Sequence, residues 1–361
     1  METPYDPALR RDTTLARKLI ACMRASGPIT VADYMDACLN DPEHGYYRTR
    51  EAIGRRGDFI TAPEISQVFG ELIGLWCAVV WQQMGAPARV NLIELGGGRG
   101  TLLADALRAV RLLPAFRAAL SVHILDANPV LITQQKVALA GSSVPVTWHT
   151  SLDALPSEAP SIWIANEFLD TLPVAQNVAA PDGTNVPRRV GLDAAGQLAF
   201  LDPPSATVQE TQNVSALAMA LRGRAQNALL AALFIDYGFT GAACADTLQA
   251  VRNHAFEHAL TSPGEADLSC HVAFDAFAAA TGLPCDGPTS QAEFLGCLGI
   301  MERASKLMAA NPDKANALEM GVARLMAPGG MGTRFLALGV RSSGLPPLPG
   351  LQPRLNLALG R

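Results

Sequence analysis

The chain is poor in charge and in aromatic rings, and neither is gathered in a block. Charged residues make up 17% of the 361 positions and aromatics 6%, while hydrophobic residues reach 49%. A disordered chain needs the opposite balance and is excluded. Lys+Arg 28 against Asp+Glu 33 leaves a net charge of −5, so no positive excess is available to neutralise phosphates. A general nucleic-acid binder is therefore not expected. The cysteines are Cys22, Cys38, Cys77, Cys244, Cys270, Cys285 and Cys297, with no CxxC pair and no Cys/His cluster. Neither a metal site nor a disulfide framework is expected, and a reducing, cytoplasmic setting is. The most apolar long stretch, Leu72–Val80, falls well short of the roughly 20 residues that span a bilayer, so no membrane insertion is expected. The start, Met1-Glu2-Thr3-Pro4-Tyr5-Asp6, lacks a basic stretch and an apolar one after it, and no signal peptide is expected.

What is present divides near residue 89. Before it the pattern is helical. Leu15, Leu19, Ile20 and Met23 recur at helical spacing until Gly27-Pro28, and Thr30 can cap a second helix through Tyr34, Met35 and Leu39. Thr61-Ala62-Pro63-Glu64 has the spacing of a capping box, with Ile65, Phe69, Leu72, Ile73, Trp76, Val79 and Val80 on one face of the helix after it. That face is open to two readings, core or the contact of a homodimer. From Val90 short apolar runs alternate with helix-like stretches: Val90–Leu95, Val122–Asp126, Val144–Trp148, Ile162–Asn166, Leu233–Asp236 and Phe335–Val340. Buried parallel strands have this texture, and their carboxyl ends carry function. The expected division is a helical region over 1–88, an α/β core over 89–345 interrupted at about 186–230 and 241–330, and an irregular tail over 346–361.

The strongest local signal is Glu94-Leu95-Gly96-Gly97-Gly98-Arg99-Gly100-Thr101-Leu102, a strand running through a glycine turn into a helix. Gly96, Gly98 and Gly100 let the backbone turn tightly and let a ligand approach. The spacing is GxGxG, with Thr101 where the third glycine of a dinucleotide turn would stand. Glu94 would repel a phosphate and suits a ligand with a positive centre, such as the sulfonium and ammonium of S-adenosylmethionine; the other reading makes it a buried partner of Arg99. Asp126, at the tip of the next strand, can accept ribose hydroxyls, or it can cap the helix before Pro129. Ala127 and Leu152 complete the expected cofactor contacts with Asn166 and Glu167. The fourth strand ends in Asn166-Glu167-Phe168-Leu169-Asp170, and Glu167 and Asp170 are the candidate catalytic acids, with helix capping as their alternative.

These pieces together resemble the MidA-like methyltransferases, related to the mitochondrial complex I assembly factor 7, an arginine methyltransferase. The resemblance runs through Tyr34-Met35, Pro42-Glu43-His44-Gly45-Tyr46-Tyr47, Gly57-Asp58-Phe59-Ile60-Thr61-Ala62-Pro63-Glu64-Ile65-Ser66, the glycine turn, Asn166–Pro173, Asp236-Tyr237-Gly238 and Gln291–Leu295. It departs at Gly97, where the family usually has proline, at Pro187-Arg188-Arg189, and in the stretch up to His254. It implies a class I methyltransferase (Rossmann-like) α/β fold with a mostly parallel seven-stranded sheet whose last strand is antiparallel. It implies S-adenosylmethionine as donor and an arginine of a protein substrate, a respiratory complex I subunit, as acceptor. On this reading the protein aligns the two reactants and places charge, and carboxylates at Glu167 and Asp170 grip the guanidinium. A cofactor-binding assembly factor without turnover and a small-molecule methyltransferase remain the alternatives.

Overall fold

The computed structural model describes residues 6, 9–49, 60–179, 184–202, 207–241 and 246–352. Two helices open it, α1 (Thr14–Ser26) and α2 (Val31–Asn40). Gly27 ends α1 at φ +84°, its N–H returning to the Met23 carbonyl. Thr30 and Asp33 form a reciprocal capping box on α2, as the sequence suggests. The third long helix, α3 (Gln67–Gln83), starts later than the pattern predicts. Ser66 caps it, whereas Thr61 makes no capping bond and heads only a single turn, Ala62–Ile65. Most of α3 is core, but Leu75 and Val79 face outward.

The central sheet then alternates with helices: β1 (Val90–Leu95), α4 (Thr101–Ala109), β2 (Leu120–Leu125), α5 (Pro129–Leu139), β3 (Val146–His149), β4 (Ser161–Asn166), α6 (Ser215–Asn227), β5 (Leu230–Phe239), α7 (Phe274–Thr281) and β6 (Cys285–Ser290). Helices α8 (Gln291–Cys297), α9 (Ile300–Ala310) and α10 (Ala315–Met326) precede the last strand, β7 (Phe335–Arg341). The strand order is β6-β7-β5-β4-β1-β2-β3. β1 to β5 run parallel to their neighbours, and β7 lies antiparallel between β5 and β6. A short strand, Val272–Ala273, pairs with the end of β5. This is the class I methyltransferase arrangement the resemblance implies, a mostly parallel seven-stranded sheet between helices. One of its strands, β6, falls inside the stretch over 241–330 that reads as an interruption.

Strand alternation sends Leu92, Ile162, Ile164, Leu233 and Ile235 to one face, where they join α3, α4 and the helices after β6. Ile93, Leu95, Trp163, Ala165 and Phe234 go to the other, under α6 and α7. α3 and α4 touch backbone to backbone: a Cβ on Gly74 would lie 2.6 Å from the Ala106 carbonyl oxygen. A third cluster is separate. Leu15, Leu19, Tyr34 and Leu39 of α1 and α2 pack on Val174, Val190 and Leu268, which belong to three small antiparallel sheets made largely from residues between β4 and α7. Helices α1 and α2 therefore build on these additions, while the segment from Ala62 onward packs on the central sheet.

Candidate functional site

The strand order reverses between β1 and β4, and the chain leaves each strand in opposite directions. A crevice opens outside their carboxyl ends, where open α/β sheets bind ligands. From β1 come Glu94, Gly96, Gly97, Gly98, Arg99 and Thr101, from β4 come Asn166 and Glu167, and from the N-terminal segment come Thr61, Pro63 and Glu64. The open space, its solvent mouth included, is about 380 Å³.

The glycines serve two needs. Gly96, Gly98 and Gly100 have φ of +69°, +51° and +85°, the left-handed region. A Cβ on Gly96 would also meet the Phe168 ring at 2.9 Å, and one on Gly97 would meet Ile124 Cγ2 at 2.8 Å. The floor of the cleft is thus bare backbone, packed closely from below by Phe168 and Ile124. Gly100 is the N-cap of α4 and lies behind the cleft against Gln135.

Glu94 is 3% exposed, and its Oε2 has no hydrogen-bond partner among the described residues. Burial pushes its carboxyl up to about 8, and the charge of Asp126 adds to the shift. A carboxyl in that range favours its protonated form at neutral pH, and a cation beside it favours the ionised one. Arg99 is not its partner: Arg99 Nη1 lies 3.4 Å from Glu64 Oε2 instead. Glu64 also accepts from the Thr101 hydroxyl, so its carboxylate bridges the N-terminal segment to the glycine turn rather than closing a capping box.

Glu167 stands at φ +53°, a backbone state that a residue with a side chain adopts only under constraint. The constraint is Asp236. Its Oδ2 accepts the N–H groups of Phe168, Leu169 and Asp170 at 3.1, 2.9 and 3.2 Å, and its Oδ1 that of Tyr237 at 2.9 Å. Glu167 Oε1 accepts from the Ala62 N–H at 2.8 Å and from Asn166 Nδ2 at 3.0 Å. Oε2 has no partner among the described residues. Burial raises the Glu167 carboxyl to about 7 against those two hydrogen bonds. Asp170 does not line the cleft. It is 6% exposed beside Tyr237, with Oδ1 unpaired among the described residues, and burial lifts it to about 6 while the Tyr237 hydroxyl works the other way.

Asp126, Ala127 and Leu152 also lie outside the cleft lining. Asp126 Oδ1 accepts the Asn128 N–H at 2.9 Å and Oδ2 accepts Gln135 Nε2 at 2.7 Å. The cap of α5 is Asn128, through the N–H groups of Val130 and Leu131. Ala127 offers its carbonyl to Arg48 Nη1 at 2.5 Å, and Leu152 offers its own to Arg224 Nη2 at 2.9 Å. Sequence reasoning missed Gln135. It is fully buried, donates to the Gly98 carbonyl as well as to Asp126, and accepts from Trp148 Nε1. A mid-helix glutamine gives no signal of that role. Residues 57–59 of the Gly57–Ser66 stretch that carries the resemblance lie outside the described residues. Among the described residues, no group of three or more His, Cys, Asp or Glu side chains could hold a metal ion, and no helix is long and apolar enough to cross a membrane.

A bare glycine turn, an orphaned acid and an amide at a topological switch define a nucleoside-binding enzyme of the class I methyltransferase type. Comparison makes this specific: the chain belongs to a family of S-adenosyl-L-methionine-dependent methyltransferases, which matches residues 72–229 and 208–289. It is 34% identical to the protein arginine methyltransferase NDUFAF7, mitochondrial, of Mus musculus, over 90% of this chain and 83% of that one. The Drosophila melanogaster homolog is 33% identical, over 91% and 84%. A crystal structure of a superfamily member from Burkholderia thailandensis bound to S-adenosyl-homocysteine superposes with a TM-score of 0.80 at 27% identity, covering 97% of each chain. The cofactor is S-adenosylmethionine, and the residues present fit it: the glycine cradle admits close approach, and Glu94 Oε2 and Asn166 Oδ1 are buried acceptors awaiting a donor or cation. The cytoplasmic setting expected from the scattered cysteines does not stand, because these relatives are named as mitochondrial proteins.

Proposed function

We propose that the chain methylates a guanidinium nitrogen of an arginine in a protein partner, with Glu167 as the acid that receives it. The observation that carries the reading is Glu167 itself. Its side chain reaches the cofactor cleft from β4, one oxygen is fixed by Ala62 and Asn166, and the other is free to accept. S-adenosylmethionine supplies a methyl group already activated on a sulfonium, so the protein's share is alignment, exclusion of water and charge placement.

Glu94, the glycine turn at Gly96–Gly98 and Asn166 hold the cofactor, with Asp126 and Ala127, beyond the cleft lining at the tip of β2, on the ribose side. Glu167 binds the guanidinium by charge-assisted hydrogen bonds and draws its positive charge away from the attacking nitrogen. That nitrogen gains the methyl group and gives up one proton, which Glu167 accepts and passes to water. A carboxyl near 7 is suited to this, since a base works best with its pKa close to the operating pH. Asp170 adds a second negative charge behind Glu167, so a cation placed at Glu167 is favoured by both. The curated relatives named as protein arginine methyltransferases support the acceptor class. A respiratory complex I subunit is the first acceptor to offer.

The test is transfer of labelled methyl from S-adenosylmethionine to protein in extract from cells lacking the gene. Label recovered as methylarginine after acid hydrolysis, only when the purified protein is added, is the expected result. Label recovered in small molecules alone overturns the reading.

A further inference from the structure

The cleft contains an ion pair that methyl transfer does not use. Among the described residues that line it, Arg99 is the one basic side chain, set against the acids Glu64, Glu94 and Glu167. S-adenosylmethionine carries a single anionic group, the α-carboxylate of its methionine end, beside its sulfonium and α-ammonium cations. Three acids welcome the cations and oppose the carboxylate, so that group needs a counter-charge of its own.

Arg99 is placed and equipped to supply it. Its side chain is 41% exposed, while Glu64 is 17% exposed. Glu64 engages one of its nitrogens, Nη1, at 3.4 Å. A guanidinium has five N–H donors in a planar fork, and most remain for a bidentate grip on a second carboxylate. Arg99 also directly precedes Gly100, the N-cap of the nine-residue helix α4, where unpaired N–H groups and the helix dipole favour an anion. A carboxylate already occupies this corner: Glu64 accepts from both Thr101 and Arg99. The donors there are arranged for that group.

We propose that Arg99 is the receptor for the α-carboxylate of the cofactor's methionine end, with Glu64 fixing the guanidinium from the N-terminal segment. The assignment rests on the cofactor and not on the identity of the acceptor.

The two roles open to Arg99 separate cleanly. If it only straps the Ala62–Ile65 turn to the glycine turn, its loss weakens every nucleoside ligand alike. If it reads the carboxylate, its loss weakens only ligands that have one. Binding is measured by calorimetry for S-adenosylhomocysteine, which keeps the amino-acid end, and for 5′-methylthioadenosine, which lacks it. In Arg99→Gln the first is expected to weaken about 10- to 100-fold and the second to stay within about twofold. Arg99→Lys is expected to recover part of the loss, since lysine keeps the charge without the fork. Equal affinity of Arg99→Gln and the parent for S-adenosylhomocysteine overturns the proposal, and so does a parallel loss for both ligands. No acceptor is present in this experiment, so its outcome is independent of whether arginine is the group methylated.

Discussion

Gln135 Nε2 lies 2.7 Å from Asp126 Oδ2 and 2.9 Å from the Gly98 carbonyl oxygen, so one buried amide ties the tip of β2 to the glycine turn after β1. Its own oxygen is held by Trp148 on β3 at 2.9 Å. Three strand ends that would otherwise move separately are set by a single side chain from α5.

That arrangement makes Gln135→Leu informative. The substitution leaves the Gly98 carbonyl and the Trp148 N–H without their partner and frees one oxygen of Asp126. Unpaired buried polar groups cost about 1–3 kcal/mol each, so chemical denaturation should show a loss of at least that size. S-adenosylhomocysteine affinity should fall about tenfold or more, because the cradle loses its register. Unchanged affinity alongside lost stability would confine Gln135 to a packing role.

Asp236 is the counterpart on the acceptor side. Its Oδ2 accepts three consecutive N–H groups and holds Glu167 in the left-handed region. Burial raises its carboxyl well above the usual range, with the charge of Asp170 adding to it. Both oxygens accept N–H groups, three at Oδ2 and one at Oδ1, so Asp236→Asn can keep the three and loses the bond to the Tyr237 N–H. Asp236→Ala should lose at least about 3 kcal/mol, as several donors go unpaired, whereas Asp236→Asn should keep most of the stability. Equal destabilisation by both would show that the ionised form is needed.

The parts of this picture that the sequence makes legible are those with a local rule. Val90–Leu95 is mostly apolar and buried throughout, Asn91 and Glu94 included, and the glycine turn follows it as the spacing demands. Other parts obey no local rule. β6, Cys-Asp-Gly-Pro-Thr-Ser, has no apolar run because it is an edge strand paired only to β7, with its register broken between Asp286 and Thr289. Glu64 has capping-box spacing, yet its partners Arg99 and Thr101 lie more than thirty positions along the chain. Asp170 and Asp236 look alike in sequence as acids at strand ends. Only the fold shows that one faces Tyr237 while the other anchors a backbone turn.

Two carboxyls with raised pKa give an unusual pH signature. Glu94 holds its proton to about 8 and Glu167 to about 7, against an ordinary glutamate near 4.5. Between those limits these two groups bind more protons in the folded chain than in the unfolded one, so their contribution to stability falls as pH rises from about 4.5 to about 8 and then levels. His123 and His258, held near 4 by burial, contribute in the opposite sense up to about pH 6.5. A cationic ligand favours ionised Glu94. Binding of S-adenosylmethionine should therefore release a proton below pH 8 and tighten as pH rises toward that value. Calorimetry in buffers of different ionisation enthalpy measures the release. Glu94→Gln should abolish it, and proton release that survives in that variant would assign the effect elsewhere.

Glu167→Gln separates acid chemistry from cofactor binding. The amide oxygen can still accept from the Ala62 N–H, so the loop keeps its anchor, but the side chain can no longer take up a proton or balance a guanidinium. Turnover should fall by about 10²-fold or more, the usual loss for a general base, while the dissociation constant for S-adenosylhomocysteine stays within about threefold. A second readout is independent of any acceptor. Above pH 7 the native carboxyl is ionised in a half-buried site that favours its neutral form, and that charge weakens the fold; the neutral amide removes it. Thermal melting should show Glu167→Gln gaining on the parent at pH 8 and matching it near pH 4.5, below the range where the two forms differ in charge. If turnover survives the substitution, Asp170 becomes the acid to test next. If melting shows no pH-dependent gain, the free oxygen of Glu167 is better solvated than its burial implies.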